Sequence, residues 1–241
     1  MPKDYKLFNA DCFDVMQSMI DDGITVDCII TDPPYELDLT GAGTCQVSQS
    51  KRKQIKELGF IGKGFDFNRC YEMFLKLCRI PNYLIFCSNK QIGKTITWFE
   101  SKGLSVTLLA WNKYNAIPAC NNNYIDDVEF IVYVRGKKAP YNNKAPMEIK
   151  HKIKAYPYPH NTIREHPTQK PLELINELVN LHSFVGQTVF DPFMGSGTTG
   201  VSCMKNGRKF IGVEILKPFY DIAERRIEDE TKQITMEFLN E

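Results

Sequence analysis

Short continuous apolar runs alternate along the chain with segments in which apolar residues recur at helical spacing. The first pattern predicts strands, and the second predicts helices. Short apolar runs of the kind that form buried strands occupy 5–8, 26–31, 83–88, 105–111, 128–134, 187–191 and 209–214. Apolar residues at helical spacing occupy 12–22, 68–78, 91–102, 171–183, 198–206 and 217–229. Because strands and helices alternate over most of the chain, we expect an α/β fold with a mostly parallel sheet.

The segment at 128–134 departs from this alternation, since no obvious crossover helix separates it from the strand at 105–111. Parallel neighbours need a crossover connection, whereas antiparallel neighbours do not. We therefore expect 128–134 to be an antiparallel strand. A chain of 241 residues has an ordinary length for one domain, so we treat 1–241 as a single domain.

The strand at 26–31 leads directly into Asp32, Pro33, Pro34 and Tyr35. Two prolines after a strand make a rigid turn that cannot continue as a helix. Open α/β sheets bind their ligands at the carboxyl ends of such strands. The two prolines alone would only end the strand. With the carboxylate and the ring beside them, the turn offers groups that can hold an aromatic amine.

A second motif reads FDPFMGSGTTG over residues 190–200, where it follows a short apolar strand and opens a helix. Its small residues let the backbone approach a ligand, and the amino end of a helix favours polar or anionic groups. A glycine-rich turn is weak evidence alone. Together with the first motif, it predicts a cofactor site beside a catalytic site.

The two motifs resemble those of DNA amino-methyltransferases that use S-adenosylmethionine. These enzymes carry a catalytic (D/N/S)-P-P-(Y/F) motif and a cofactor motif similar to F-x-G-x-G. The catalytic motif comes first in this chain, which resembles the β-type order. Asp32 at the first position resembles the adenine-N6 enzymes, since Ser is commoner there in cytosine-N4 enzymes. The resemblance runs from about 5 to 227 and is weakest across 38–64 and 114–165.

The resemblance implies a Rossmann-like methyltransferase sheet that is circularly permuted, so that the cofactor half at 187–229 lies beside the strand at 5–8. It also places a small target-recognition insertion at 113–165. The polar, glycine-rich segment at 38–64 follows the catalytic motif. A structureless stretch of this length is usually functional or disordered, so we predict a mobile loop there.

The catalytic motif suggests how the amine is activated. The Asp32 carboxylate and the Pro33 carbonyl would accept hydrogen bonds from the exocyclic amine, and the Tyr35 ring would stack on the base; Pro34 completes the turn. A base inside a duplex must flip out to reach such a pocket. Direct transfer from the sulfonium then depends on positioning and preorganised electrostatics.

The cofactor S-adenosyl-L-methionine is expected to contact a larger set of residues. This set is Asp11, Cys12, Asp32, Thr168, Lys170, Asp191, Phe193, Gly195, Ser196, Gly197, Thr198 and Glu214. Glu214 ends a strand, where an acidic residue suits ribose hydroxyls. Asp11 either caps a helix or, as the resemblance implies, reaches the cofactor adenine. Thr168 and Lys170 would bind the cofactor carboxylate.

The net charge of +1 conceals a separation of charge along the chain. Basic residues concentrate in 50–64 and 135–170, and such segregation suits a face that binds double-stranded DNA. The alternative for either segment is a solvated loop. The predicted DNA contacts are Lys51, Arg52, Lys53, Lys137, Lys138, Lys152 and Lys154.

Composition excludes several other classes. The eight cysteines and four histidines show no metal-ligand spacing, so we expect no metal site and reduced thiols in a bacterial cytoplasm. No apolar stretch is long enough to span a membrane. No Pro-Cys dipeptide occurs, which argues against a cysteine nucleophile. The alternatives left open are a cytosine-N4 or RNA-base enzyme and an inactive nucleic-acid-binding relative. β-type enzymes are often dimers, so a homodimer is one expected state.

Overall fold

The computed structural model describes residues 4–34, 64–118, 124–159 and 169–239, with side chains as far as 236. The strands are β1 Tyr5–Phe8, β2 Cys28–Thr31, β3 Asn82–Cys87, β4 Ser105–Asn112, β5 Val128–Arg135, β6 Ile153–Ala155, β7 Thr188–Asp191 and β8 Lys209–Val213. The helices are α1 Cys12–Asp21, α2 Phe67–Leu77, α3 Asn89–Ser101, α4 Leu172–His182, α5 Thr198–Lys205 and α6 Lys217–Leu239, with a 3₁₀ turn at Met147–Lys150.

The strands of the described residues form one sheet in the order β1-β8-β7-β2-β3-β5-β4-β6. β5 is antiparallel to both of its neighbours, and the remaining pairs are parallel. The predicted α/β architecture, with its mostly parallel sheet and its antiparallel strand at 128–134, is therefore confirmed. The carboxyl ends of β1, β2, β3, β7 and β8 lie together, and we call this side of the sheet the carboxyl edge.

The central strands are apolar on both faces because helices cover both faces. Successive side chains of a strand point to opposite faces. Ile30 and Leu84 thus join an apolar cluster with α4, whereas Ile29 and Ile85 join a second cluster with α1 and α2. This double burial fixes the positions of β2 and β3, and hence of the turn that follows β2.

The first strand pairs with the last one, as the family resemblance implies. Tyr5 aligns with Phe210 and Phe8 with Val213 in a parallel ladder. The Tyr5 hydroxyl also donates to Glu228 Oε1 on α6 at 3.5 Å. The carboxyl end of β1, with Asp11 just beyond it, therefore lies beside the end of β8, where Glu214 follows.

Several expectations need correction or lie outside the described residues. The last helix extends to Leu239 rather than ending at 229. The strand β6 was not predicted, because three residues are too few for a periodic pattern. The region 113–165 includes the strands β5 and β6, and its role in target recognition stays a prediction. Most of the predicted loop 38–64 lies outside the described residues. No helix in the described ranges is long and apolar enough to cross a membrane.

Candidate active site

Asp32 directly follows β2 at the carboxyl edge, where a buried lysine binds it. The Lys170 ammonium lies 2.5 Å from Asp32 Oδ2 and 2.8 Å from Glu129 Oε1. The Lys170 side chain is 9% exposed. Burial alone would lower the pKa of Lys170, but the carboxylates of Asp32 and Glu129 more than offset this and raise it. Lys170 therefore keeps its positive charge and holds the Asp32 carboxylate in place.

The strand order brings Glu129 to this site. Because β5 is antiparallel, it begins at the carboxyl edge, where Phe130 aligns with Cys87 at the end of β3. Lys113, just after β4, places its ammonium 3.6 Å from Glu129 Oε2. The site thus contains two carboxylates and two ammonium groups. The sequence analysis missed Glu129, although a charged residue at the start of an apolar strand was a usable signal.

The rest of the catalytic turn is only partly described. Pro33 is buried and Pro34 half-buried. The side-chain amide of Gln91 on α3 donates to the Pro34 carbonyl at 3.2 Å. Tyr35 lies outside the described residues, so its predicted stacking role stays a prediction.

Asp191 ends β7 and links the two motifs. Its carboxylate accepts hydrogen bonds from Thr31 Oγ1 at 2.8 Å, Thr199 Oγ1 at 2.9 Å and Phe193 N at 3.1 Å. The residue is 4% exposed. Burial raises its pKa to about 7, against the opposing effect of the two threonine hydroxyls. This setting favours a supporting role over the cofactor contact that we predicted.

The glycine-rich turn packs against α6. Gly197 has φ +76°, and a Cβ added there would lie 2.8 Å from Ala223 Cβ on that helix. Arg226 on α6 donates to the Ser196 carbonyl at 2.6 Å and to Thr198 Oγ1 at 3.3 Å. The Thr198 hydroxyl and the Ser196 carbonyl are therefore bound to α6 in this structure.

Phe193 and Gly195 belong to the same turn. The Phe193 ring lies 5.4 Å from the Phe65 ring, centroid to centroid, in an edge-on arrangement. Gly195 has φ +52°, a left-handed conformation that favours glycine. Its amide is directed at the residue that follows β8.

That residue is Glu214, which folds back onto the glycine-rich turn. Glu214 Oε2 accepts from Gly195 N at 3.1 Å, and Oε1 accepts from Leu216 N at 2.8 Å. Burial raises the pKa of Glu214 above its ordinary value, although these backbone bonds oppose the shift. The carboxylate therefore lies between the turn and the start of α6, at the carboxyl edge.

Asp11, Cys12 and Thr168 complete the predicted cofactor set. The Asp11 carboxylate accepts from Phe13 N at 2.8 Å and caps α1, so the capping interpretation is confirmed and the adenine contact stays a prediction. Burial raises the pKa of Cys12 to about 12, which keeps this thiol protonated at neutral pH. Thr168 lies outside the described residues.

The predicted basic face is divided between the two edges of the sheet. Lys137 and Lys138 follow β5 at the edge opposite Asp32, where Gly136 N donates to the Pro81 carbonyl before β3. Strands rise about 3.3 Å per residue, so the length of β5 puts these two lysines roughly 20 Å or more from Glu129. They lie far from the carboxyl edge, so their contact with DNA stays a prediction that this site does not support.

The other predicted DNA contacts also lie in different environments. Lys154 is 4% exposed, 3.0 Å from Glu177 Oε2, and donates to the Ile149 carbonyl at 2.5 Å. Its ammonium is held inside the protein, which disfavours the predicted DNA contact. Lys152 is exposed and lies within about 10 Å of the carboxyl edge, judged by strand rise. Lys51, Arg52 and Lys53 lie outside the described residues.

Comparison with known proteins assigns the family. Residues 26–225 match the family described as DNA methylase. The chain belongs to this family. The Type II methyltransferase M2.DpnII of Streptococcus pneumoniae is 29% identical over 94% of this chain and 90% of its own length. The structure is also similar to the complex of M1.HpyAVI with S-adenosylmethionine, with a TM-score of 0.70, 29% identity, and coverage of 92% of this chain and 98% of that chain.

A more distant structure agrees in fold alone. The cytosine-N4-specific PvuII DNA methyltransferase superposes with a TM-score of 0.71 at 14% identity, covering 96% of this chain and 93% of that one. The fold is therefore shared with a cytosine-N4-specific enzyme, so the fold alone does not identify the target base. The protein is a DNA methyltransferase with S-adenosylmethionine as its methyl donor.

The residues at the carboxyl edge fit this cofactor. Glu214 offers carboxylate oxygens that suit ribose hydroxyls, and Phe193 offers an aromatic face for an apolar contact. The Asp32 carboxylate supplies negative charge that suits a sulfonium. The Lys170 ammonium binds Asp32 and Glu129, and its predicted contact with the cofactor carboxylate stays a prediction. In the described ranges, no cluster of three or more His, Cys, Asp or Glu residues is arranged to hold a metal ion.

Proposed function

We propose that this protein transfers a methyl group from S-adenosylmethionine to the N6 amine of adenine in double-stranded DNA, as a β-type enzyme. The observation that carries the proposal is the Asp32 carboxylate, which Lys170 holds at 2.5 Å at the end of β2. Asp at this position of the motif resembles the adenine-N6 enzymes. The similarity to Type II methyltransferases supports a sequence-specific DNA substrate.

The exocyclic amine of adenine is a weak nucleophile, because its lone pair is delocalised into the ring. Asp32 and the Pro33 carbonyl accept hydrogen bonds from its two N–H groups, which localises electron density on the nitrogen. S-adenosylmethionine, when bound, supplies an electrophilic methyl group. The bond from the nitrogen to the methyl carbon would form as the carbon–sulfur bond breaks, with that electron pair left on a neutral thioether sulfur. The nitrogen then loses a proton, and Asp32 is the proposed acceptor of that proton.

Lys170 and Glu129 prepare Asp32 for this role. The Lys170 ammonium keeps the carboxylate ionised and directed, as an opposite charge at close range favours the charged form. Glu129 shares that ammonium at 2.8 Å and in turn lies 3.6 Å from the Lys113 ammonium. Because these groups are already placed, little reorganisation is needed at the moment of reaction.

An amine inside a duplex is out of reach of this turn, so the target base must flip out. Stacking on Tyr35 would replace part of the lost base stacking, worth about 1–3 kcal/mol per base. The duplex must then lie across the carboxyl edge. Lys152, with Lys51, Arg52 and Lys53, provides the proposed phosphate contacts. Self-association and circular permutation remain parts of this proposal that rest on the family resemblance.

Analysis of the reaction product tests the proposal. Purified protein is incubated with labelled S-adenosylmethionine and duplex DNA, and the DNA is digested to nucleosides. We expect label in N6-methyladenine, and none with Asp32→Ala. Label found only in N4-methylcytosine would contradict the adenine assignment, and label accepted by RNA but not by duplex DNA would contradict the substrate.

A further inference from the structure

Gln91 connects helix α3 to the catalytic turn through both ends of its side-chain amide. Its Oε1 accepts hydrogen bonds from Ser88 N at 3.1 Å and from Ser88 Oγ at 2.6 Å. Its Nε2 donates to the Pro34 carbonyl at 3.2 Å. Gln91 is 4% exposed. The side chain is thus inside the protein, with its donor directed at the turn that contains Asp32.

Helix capping explains the hydrogen bonds that Gln91 Oε1 accepts, but not the hydrogen bond that Nε2 donates. A capping box needs an acceptor at this position of the helix, and either Glu or Gln provides one. The donor is not needed for the cap. The contact with Pro34 therefore requires a separate explanation, since a glutamate would serve the helix but not the turn.

The catalytic turn has few hydrogen-bond donors of its own. Pro33 and Pro34 lack backbone N–H groups, so neither residue can anchor the turn by donating a hydrogen bond. Their carbonyls can only accept hydrogen bonds, and a carbonyl that is partly removed from water is stabilised by a donor. Gln91 supplies that donor from a neighbouring helix. This hydrogen bond fixes the Pro34 carbonyl, two residues after Asp32.

The other flank of Asp32 is anchored in a similar way. Thr31, directly before Asp32, donates its hydroxyl to the buried Asp191 at 2.8 Å. Asp32 therefore lies between a bond at Thr31 and a bond at Pro34, and Lys170 binds its carboxylate. We infer that Gln91 is a positioning residue for methyl transfer, which sets the orientation of the catalytic turn through its hydrogen bond to the Pro34 carbonyl.

The inference rests on the proposed role of Asp32, and a pair of variants tests it. Gln91→Glu keeps the acceptor oxygens for Ser88 but has no N–H for Pro34. Ser88→Ala is the matched control, because it weakens the cap and leaves the Gln91 donor unchanged. Each protein is measured for thermal unfolding, for S-adenosylmethionine binding and for single-turnover transfer of total label into DNA, whichever base receives it.

We expect Gln91→Glu to slow single-turnover transfer on the order of tenfold or more, because small misplacements of reacting groups are costly. Its unfolding temperature should fall, because a carboxylate replaces a buried amide, while its cofactor affinity should stay close to that of the wild type. Ser88→Ala should lower the unfolding temperature and leave the transfer rate within about twofold. A wild-type rate in Gln91→Glu, or equal losses of rate in both variants, would overturn the inference.

Acid provides a further test, since the carboxyl group that Gln91→Glu introduces regains a donor when it is protonated. The rate of Gln91→Glu relative to the wild type should therefore rise as the pH is lowered. Gln91 lines a cleft of about 240 Å³ together with Asp66, Tyr71 and Lys94. These groups and Asp32 are present in both proteins, so the ratio removes their common effect. A ratio that stays constant with pH would count against the hydrogen bond.

Hydrogen exchange of the Gln91 side-chain amide, followed by NMR in the wild type, needs no enzymatic activity. Slow exchange is expected for a buried donor, and exchange as fast as that of a free glutamine would overturn the inference. Failure of the adenine assignment would leave this result unaffected, so the two proposals can fail separately.

Discussion

Lys170 and Asp32 form an ion pair across 138 positions of sequence, with Nζ 2.5 Å from Oδ2. The pair joins the segment before α4 to the turn after β2. Glu129 on β5 shares the same ammonium. The catalytic carboxylate is therefore held from a neighbouring part of the sheet, and its orientation depends on residues far from the catalytic motif.

Replacing Lys170 by Met should lower kcat for methyl transfer far more than it raises the KM for DNA, because Asp32 loses the group that orients it. Removing one partner of a buried pair also costs about 3–5 kcal/mol of stability. Lys154→Met is the matched control, since Lys154 is equally buried beside Glu177 but far from Asp32. We expect it to lose stability and retain transfer. Equal loss of kcat in both variants would contradict the positioning role.

Glycine at position 197 should be required both for the packing of the glycine-rich turn and for the binding of S-adenosylmethionine. Gly197→Ala adds a Cβ 2.8 Å from Ala223 Cβ at φ +76°. Gly103→Ala is the control, because Gly103 has φ +74° and no atom within 4 Å of an added Cβ. The control should lose about 1–2 kcal/mol of unfolding free energy from the backbone alone, and Gly197→Ala about 1–3 kcal/mol more.

Cofactor affinity separates the two glycine variants further. Only Gly197→Ala should weaken the binding of S-adenosylmethionine, as measured by calorimetry. Equal affinities and equal stabilities in the two variants would show that packing of the turn against α6 is unimportant.

The strand pattern was predictable from the sequence because the buried strands β2 and β3 are continuous apolar runs. The ion pair was not, since the proximity of Asp32 and Lys170 depends on the strand order, which local patterns do not contain. The positions of the basic residues in the fold were not predictable for the same reason. Lys137 and Lys154 are close in sequence to Lys152, yet one lies at the opposite edge and the other is buried beside Glu177.

Salt dependence of DNA binding should separate these lysines. Each phosphate contact adds about 0.9 to the slope of log affinity against log salt for B-form DNA. Lys152→Ala should therefore flatten the slope by up to about 0.9, because Lys152 lies near the carboxyl edge. The double variant Lys137→Ala with Lys138→Ala should leave the slope unchanged. The reverse pattern would mean that DNA approaches the other edge.

The triple variant of Lys51, Arg52 and Lys53 to Ala tests the remaining predicted contacts. If all three contact phosphate, the slope should flatten by up to about 2.7. Specific and scrambled duplexes should be affected alike, since phosphate contacts do not read bases. An unchanged slope would remove this segment from the DNA face.

Asp191 should make stability depend on pH. Its pKa is raised to about 7 by burial, whereas an unfolded aspartate titrates near 3.9. The folded protein therefore favours the protonated form, and the stabilisation is complete below about pH 4 and lost as the pH rises through about 7. Asp191→Asn should remove this decline, because the amide does not ionise. Its Oδ1 can still accept hydrogen bonds from Thr31 and Phe193. Denaturant titrations of both proteins from pH 4 to 8 measure the free energy of unfolding. Parallel curves of this free energy against pH would contradict the prediction.

The central claim is that Asp32 activates the amine, and single-turnover methyl transfer by Asp32→Ala tests it most directly. Labelled S-adenosylmethionine and a duplex substrate are used at saturating concentrations, so that a weaker cofactor affinity does not limit the result. We predict that transfer is abolished while thermal unfolding and most DNA binding are retained. Turnover by Asp32→Ala close to that of the wild type would contradict the account.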